Sequence, residues 1–136
     1  MAVLRPRIIS STRHFWNALQ RDHIEIQRCL GCQRWVFYPR LICPHCGGRD
    51  LAWQRVSGRA SLYTFSVADI PVSPDFAEEP LLILAVAELE EGVRLATTLV
   101  QVKPEQVRIG MRLVPVFDHT TFPDITLLRF SPVPDL

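Results

Sequence analysis

Lysine is nearly missing from this chain of 136 residues: Lys103 stands alone beside fourteen arginines. A planar, permanently charged guanidinium suits phosphate oxygens and buried interfaces better than an ammonium does, so the bias points to oxyanion contacts. No apolar stretch reaches membrane-spanning length, and Met1–Arg7 holds no apolar run of the kind that opens a secretory signal. A soluble, cytoplasmic protein is expected, in a compartment that disfavours disulfides. There is no Gly-x-Ser-x-Gly elbow, no phosphate-cradling Gly-x-x-x-x-Gly-Lys loop, no coiled-coil repeat and no low-complexity tract. His14, His23, His45 and His119 are scattered, and His119, beside Asp118 at a strand end, reads as a surface partner rather than a catalyst.

Cysteine is scarce but ordered. The four cysteines form two matched pairs, Cys29-Leu30-Gly31-Cys32 and Cys43-Pro44-His45-Cys46. A Cys-x-x-Cys turn points two thiolates the same way, and two such turns on adjacent hairpins supply the four sulfurs of a tetrahedral Zn²⁺ site. Iron in a rubredoxin-like site would use the same ligands. A thioredoxin-type redox pair would come as one motif beside a βαβ unit, which is absent. With all four sulfurs on a metal, no thiol is left as a nucleophile, and the chain reads as a binder.

Charge is divided unevenly along the chain. Residues 1–59 hold ten arginines against Asp22, Glu25 and Asp50, whereas residues 60–136 hold four arginines and Lys103 against eleven acids. The split predicts a basic face for phosphates or an acidic partner and an acidic face opposite. Arg28, Arg34 and Arg49 are near enough to the cysteines to offset the formal −2 of a zinc tetrathiolate.

The apolar pattern predicts a mainly β protein. Ser10, Ser11 and Thr12 offer N-caps to a short helix ending near Asp22, with Phe15, Trp16 and Leu19 along it. Because Phe15 and Trp16 are adjacent, one of them points off the buried stripe, towards a ligand or a second subunit. Ile24–Gln27, Trp35–Pro39 and Leu51–Ser57 read as short strands around the cysteine pairs, together a zinc ribbon. Beyond Gly58, Arg59–Ala68, Leu81–Leu89, Val93–Val100, Arg112–Phe117 and Ile125–Phe130 read as five strands of a closed barrel of the OB type. Tyr63, Phe65 and Val67 are expected on one face of the first. Glu90-Glu91-Gly92 reads as a hairpin and Pro104–Val107 as a helical turn. The predicted units are an arm and helix over 1–23, a rubredoxin-like zinc ribbon over 24–57 and a five-stranded OB-fold domain over 58–136.

These residues carry a resemblance. Phe15-Trp16-x-x-Leu19, Arg28-Cys29-x-x-Cys32, Pro39-Arg40, Cys43-Pro44-x-Cys46-Gly47 and Gly58-x-x-x-x-Tyr63-Thr64-Phe65 resemble the zinc-ribbon/OB-fold proteins of bacterial and archaeal acyl-CoA metabolism. Glu91-Gly92-Val93-Arg94-Leu95, Val107-Arg108-Ile109-Gly110-Met111 and Leu128-Arg129-Phe130-Ser131-Pro132 extend the similarity to Pro132. Members of that family are small subunits that accompany thiolase-like enzymes, such as acyl-CoA thiolases, steroid side-chain aldolases and phloroglucinol acetyltransferase. The resemblance implies a non-catalytic subunit of a hetero-oligomer that helps hold acyl-CoA while the partner carries the chemistry.

Coenzyme A offers a diphosphate, a 3′-phosphate and an adenine, which call for arginines and aromatics. Arg59 and Tyr63 are the first candidates for its phosphates and base, with Phe65 and Phe76 along the pantetheine arm or acyl group. Phe15, Trp16 and Trp35 are the candidates for the partner interface. The alternative is a nucleic-acid-binding zinc-ribbon/OB protein, which the acidic balance of the barrel half disfavours.

Overall fold

Phe15, Ala18 and Leu19 recur at the three- and four-residue spacing of one helical face, and that face is buried in helix α1 (Arg13–Gln20). The computed structural model describes residues 5–68 and 82–134. The helix ends two residues before Asp22, whose positive φ of 60° carries the chain off the axis. Thr12 occupies the N-cap without capping. Its hydroxyl instead donates to the Ile9 carbonyl and accepts from the Ile9 N–H, both at 3.2 Å, bracing the segment before the helix.

Strands β1 (Ile24–Cys29), β2 (Trp35–Val36) and β3 (Leu51–Val56) make an antiparallel sheet in the order β2-β1-β3. The expected strand Trp35–Pro39 keeps only its first two residues. Past Val36 a buried side chain takes over the pairing: Gln27 accepts from the Arg40 N–H at 2.8 Å and donates to the Arg40 carbonyl at 2.9 Å. One amide thus does what a neighbouring strand would do, and it fixes the approach to Cys43.

The second sheet contains β4 (Ala60–Ala68), β5 (Leu82–Leu89), β6 (Arg94–Thr98), β7 (Arg112–Asp118) and β8 (Leu127–Pro132). Its order is β6-β5-β4-β7-β8, and a parallel bridge between Leu99 and Phe130 brings the two edges together. The result is a nearly closed five-stranded barrel of the expected OB type. Gly92, at φ +96°, turns the hairpin between β5 and β6, and Pro104–Gln106 forms the anticipated helical turn as a 3-10 helix.

Strand β4 departs from its expected pleat. Leu62 pairs with Ala87 but Thr64 pairs with Val86, so Tyr63 is an extra residue in a β-bulge. Leu62, Phe65 and Val67 therefore share a face, opposite the buried Ala87, Ala85 and Ile83, and Tyr63 is left exposed. The sequence pattern had grouped Tyr63 with Phe65 and Val67; the inserted residue shifts the alternation by one.

Helix, ribbon and barrel share one core. Phe15 and Leu19 from α1, Ile24 and Ile26 from β1 and Val56 from β3 pack with Leu62, Leu89, Leu95, Leu113 and Phe130 of the barrel. Gly58 joins ribbon to barrel at φ +86°, and a Cβ there would lie 2.9 Å from Pro115 Cγ and 3.3 Å from Ile24 Cδ1. Only glycine satisfies both the backbone and the space.

Candidate metal centre and its surroundings

The first cysteine pair closes β1 and the second lies in the loop held by Gln27, so sheet pairing brings the two turns face to face. The Sγ atoms of Cys29, Cys32, Cys43 and Cys46 all lie within 4.8 Å of one another. Cys29 approaches Cys46 at 3.6 Å and Cys32 approaches Cys43 at 3.7 Å. Zn–S bonds of about 2.3 Å in a tetrahedron put sulfurs about 3.8 Å apart, whereas a disulfide would need about 2.05 Å. All four are free thiols in a geometry that fits one tetrahedral ion.

Backbone amides complete the nest. Cys32 N–H points to Cys29 Sγ at 3.5 Å, His45 N–H to Cys43 Sγ at 3.4 Å and Gly48 N–H to Cys46 Sγ at 3.4 Å. A Cβ on Gly48 would sit 3.3 Å from Cys46 Sγ, so glycine keeps that approach open. Without an ion the sulfurs disagree about charge. The Cys32 N–H draws Cys29 down to about 7, against the cost of burial. At Cys46 the Gly48 N–H acts downwards, yet contact with the Cys29 sulfur, burial and the other thiols push it up to about 11. Four crowded thiolates become compatible when a cation shares their charge.

The candidate ligand-binding residues do not converge. Arg59 forks onto Glu90 (Nη2 to Oε1 2.8 Å, Nε to Oε2 3.0 Å) and lines a shallow recess with Arg112 that includes neither Tyr63 nor Phe65. Tyr63 is exposed beneath the Arg94 guanidinium, 3.9 Å from its ring centre. Phe65 is half-buried against the core. Phe76 lies outside the described residues. Among the interface candidates, Phe15 is buried in the core, in contact with Trp16, Phe37 and Tyr38. Trp16 lines a cavity of about 250 Å³ with Phe37, Thr97, Leu128 and Arg129, and its buried Nε1–H has no acceptor among the described residues. Trp35 is half-buried with Arg28 5.0 Å above its ring.

Polar clusters missed by the sequence pattern organise the far end of the barrel. Asp118 accepts from both the N–H and the hydroxyl of Thr120, from the Thr121 hydroxyl and from Arg129 Nε at 2.9 Å. Partial burial opposes its ionisation, but these donors, led by the Thr121 hydroxyl, hold its carboxyl well below the usual range. His119 bridges Asp22 (2.6 Å) and Thr126 (2.9 Å), tying the end of β7 to the turn after α1. Thr126 is buried, so this trio is a tether and offers no reachable hydroxyl.

A ribbon nested against an OB barrel, with four sulfurs poised for one ion, defines a class. Residues 16–52 match the family described as ChsH2, rubredoxin-like zinc ribbon domain, and residues 53–118 match ChsH2, C-terminal OB-fold domain. A solved structure, the Ltp2-ChsH2(DUF35) aldolase, contains a chain that superposes with a TM-score of 0.83 at 34% identity, over 94% of this chain and 98% of that one. A DUF35 domain-containing scaffold protein of Methanothermobacter thermautotrophicus is 30% identical over 81% of this chain and 84% of its own length. The probable enoyl-CoA hydratase alpha subunit of Thermomonospora curvata is 37% identical over 95% of this chain, which spans only 40% of that relative. The chain belongs to the DUF35 family of ChsH2-type zinc-ribbon and OB-fold proteins. No helix among the described residues is long and apolar enough to cross a membrane.

Proposed function

We propose that this chain is the zinc-bearing, non-catalytic member of a cytoplasmic acyl-CoA complex, bound to a thiolase-like enzyme that performs the cleavage, condensation or transfer. Its arm and helix (1–23), ribbon (24–57) and barrel (58–136) divide the work between docking and enclosing the acyl-CoA. The observation that carries the reading is the likeness, over nearly the full chain, to a DUF35 chain in a structure titled as an aldolase. The relatives named as a scaffold and as a hydratase subunit agree with a role inside assemblies.

The surface supports it. Leu41 is 77% exposed, and Ile42 beside it and Leu30 on the other cysteine turn are also left in water. Large aliphatic side chains on a rigid knuckle suit a protein partner better than solvent. Cys29, Cys32, Cys43 and Cys46 would hold a single Zn²⁺, and four sulfur ligands would suit an ion that fixes the ribbon rather than one that takes substrate. Trp16, whose buried N–H has no acceptor among the described residues, lines an apolar cavity suited to an acyl group that carries an acceptor.

The test is affinity capture of the tagged chain from its native host. A thiolase-like protein is expected in stoichiometric yield, together with acyl-CoA turnover that neither component shows alone. A monodisperse monomer that ignores both acyl-CoA and every thiolase-like neighbour would overturn the proposal.

A further inference from the structure

Between the ribbon and the β5–β6 hairpin runs an open groove of about 700 Å³, and three arginines stand among its polar lining with a single acid, Glu91. Arg28, Arg34 and His45 enter from the ribbon and Arg94 from the barrel, over a floor that includes Trp35. The volume is within the usual range of small-molecule sites, roughly 300–1,000 Å³.

Arg28 and Arg34 are held in place without being neutralised, and Arg94 is held by an ion pair. Arg28 Nε donates to the Gln33 carbonyl at 3.0 Å while its guanidinium stacks over Trp35, so the terminal nitrogens stay available. Arg34 meets the His45 ring, Nη1 to Nδ1 at 3.4 Å. Among the described residues, neither Arg28 nor Arg34 has a carboxylate within ion-pair distance. Arg94 is clamped between the Tyr63 ring and Glu88, with Nε 2.7 Å from the carboxylate. Side chains already fixed in this way lose little freedom when an oxyanion arrives.

One acid sits in the wall, and it is informative. Glu91 accepts from the Ser57 N–H through Oε2 at 3.2 Å, while its Oε1 is buried with no donor among the described residues. A buried carboxylate oxygen costs free energy until an N–H reaches it. The complementary ligand therefore carries phosphate groups for Arg28, Arg34 and Arg94 and a free amino group for Glu91. Inorganic phosphate has no such amino group, and a sugar phosphate has none either. An adenine nucleotide has both.

We infer that the groove between ribbon and barrel binds the phosphorylated adenosine end of coenzyme A. This rests on the acyl-CoA reading above and adds where the headgroup lies and which residues grip it. Arg28 and Arg34 take the phosphates, Arg94 closes the barrel side, and Glu91 Oε1 accepts from the exocyclic amine of adenine. Two of the ten arginines in residues 1–59 thereby meet one ligand. The zinc cage contributes by holding Arg28, next to Cys29, and Arg34, two residues from Cys32, at a fixed separation.

The experiment is calorimetric titration of the zinc-loaded full chain, alone and in complex with its captured partner. The titrants are coenzyme A, adenosine 3′,5′-bisphosphate, ATP and pantetheine. Coenzyme A and the bisphosphate are expected to bind, with affinity falling as salt rises; ATP should bind more weakly and pantetheine not at all. Arg28→Ala and Arg34→Ala should each weaken binding roughly ten- to hundred-fold, the usual consequence of losing a charge-assisted contact. Arg94→Ala, far in sequence from the cysteines, should do the same even if the ribbon variants lose metal, and Arg112→Ala should change nothing.

Bisphosphate binding that ignores Arg28→Ala, Arg34→Ala and Arg94→Ala alike would overturn the inference, as would its absence from both the free chain and the complex. ATP binding as tight as the bisphosphate would overturn the assignment to coenzyme A. Partner capture by the Arg94→Ala variant separates the two claims. Capture retained with headgroup binding unaffected defeats only the groove, whereas a wild-type chain that captures no partner defeats the reading beneath it.

Discussion

At the level of single residues, ionisable groups here act mostly in pairs that sequence distance conceals. Asp118 and Arg129 face each other across β7 and β8 with little exposure, 12% and 17% of their side chains. Replacing Asp118 with asparagine leaves Arg129 half-buried without its counter-charge and is expected to cost about 1.5–3 kcal/mol at neutral pH. Because the folded carboxyl ionises more readily than the unfolded one, its contribution is complete above the unfolded value of about 4 and is lost as pH falls below it towards the folded value. Thermal melts of wild type and Asp118→Asn should differ most at neutral pH and draw together on acidification; a constant gap would contradict the assignment. Arg59 makes the complementary point. Arg59, a phosphate candidate at the join of ribbon and barrel, has its fork occupied by Glu90, thirty-one residues on.

At the level of elements, the joints carry the information. Gly58→Ala would force an L-residue into a positive φ, at roughly 1–2 kcal/mol, and press a methyl group on Pro115 and Ile24. Chemical denaturation should show a loss above about 2 kcal/mol, and a variant as stable as wild type would mean that ribbon and barrel are not locked at this point. Much of this level was legible beforehand. The cysteine spacing announced the metal turns because four equivalent ligands leave few alternatives, and the five barrel strands followed from their apolar runs. What escaped was set by long-range contacts. The strand after Trp35 shortened because Gln27 replaced strand pairing with a side-chain amide, and the face of Phe65 moved because Tyr63 bulges. Neither leaves a mark in local composition. The groove arginines were visible as charges near the cysteines, but their meeting with Arg94 depends on the angle between two units.

For the molecule as a whole, the shared core means that metal and barrel stability are coupled. Ile24, Ile26 and Val56 of the ribbon sheet lie inside the same cluster as the barrel leucines, so losing the ion exposes more than the ribbon. Cys43→Ser should therefore abolish stoichiometric metal and lower the single melting transition of the full chain, given structural zinc affinities on the order of 10 kcal/mol. Metal analysis of the wild type is expected to give one zinc per colourless chain. A red, iron-bearing protein would assign the cage to electron transfer, and an unaltered melt of Cys43→Ser would dissociate it from folding.

The bulge in β4 makes deletion and substitution at one position different perturbations. Since Leu62 and Thr64 already oppose consecutive residues of β5, Tyr63 is supernumerary: excising it would restore an unbroken ladder with every other partner in place. The inserted residue bends the strand and seats its ring under Arg94, outside the barrel. Codon deletion at this position, compared with substitution, would separate the bend that the bulge gives the strand from the ring that it turns outward.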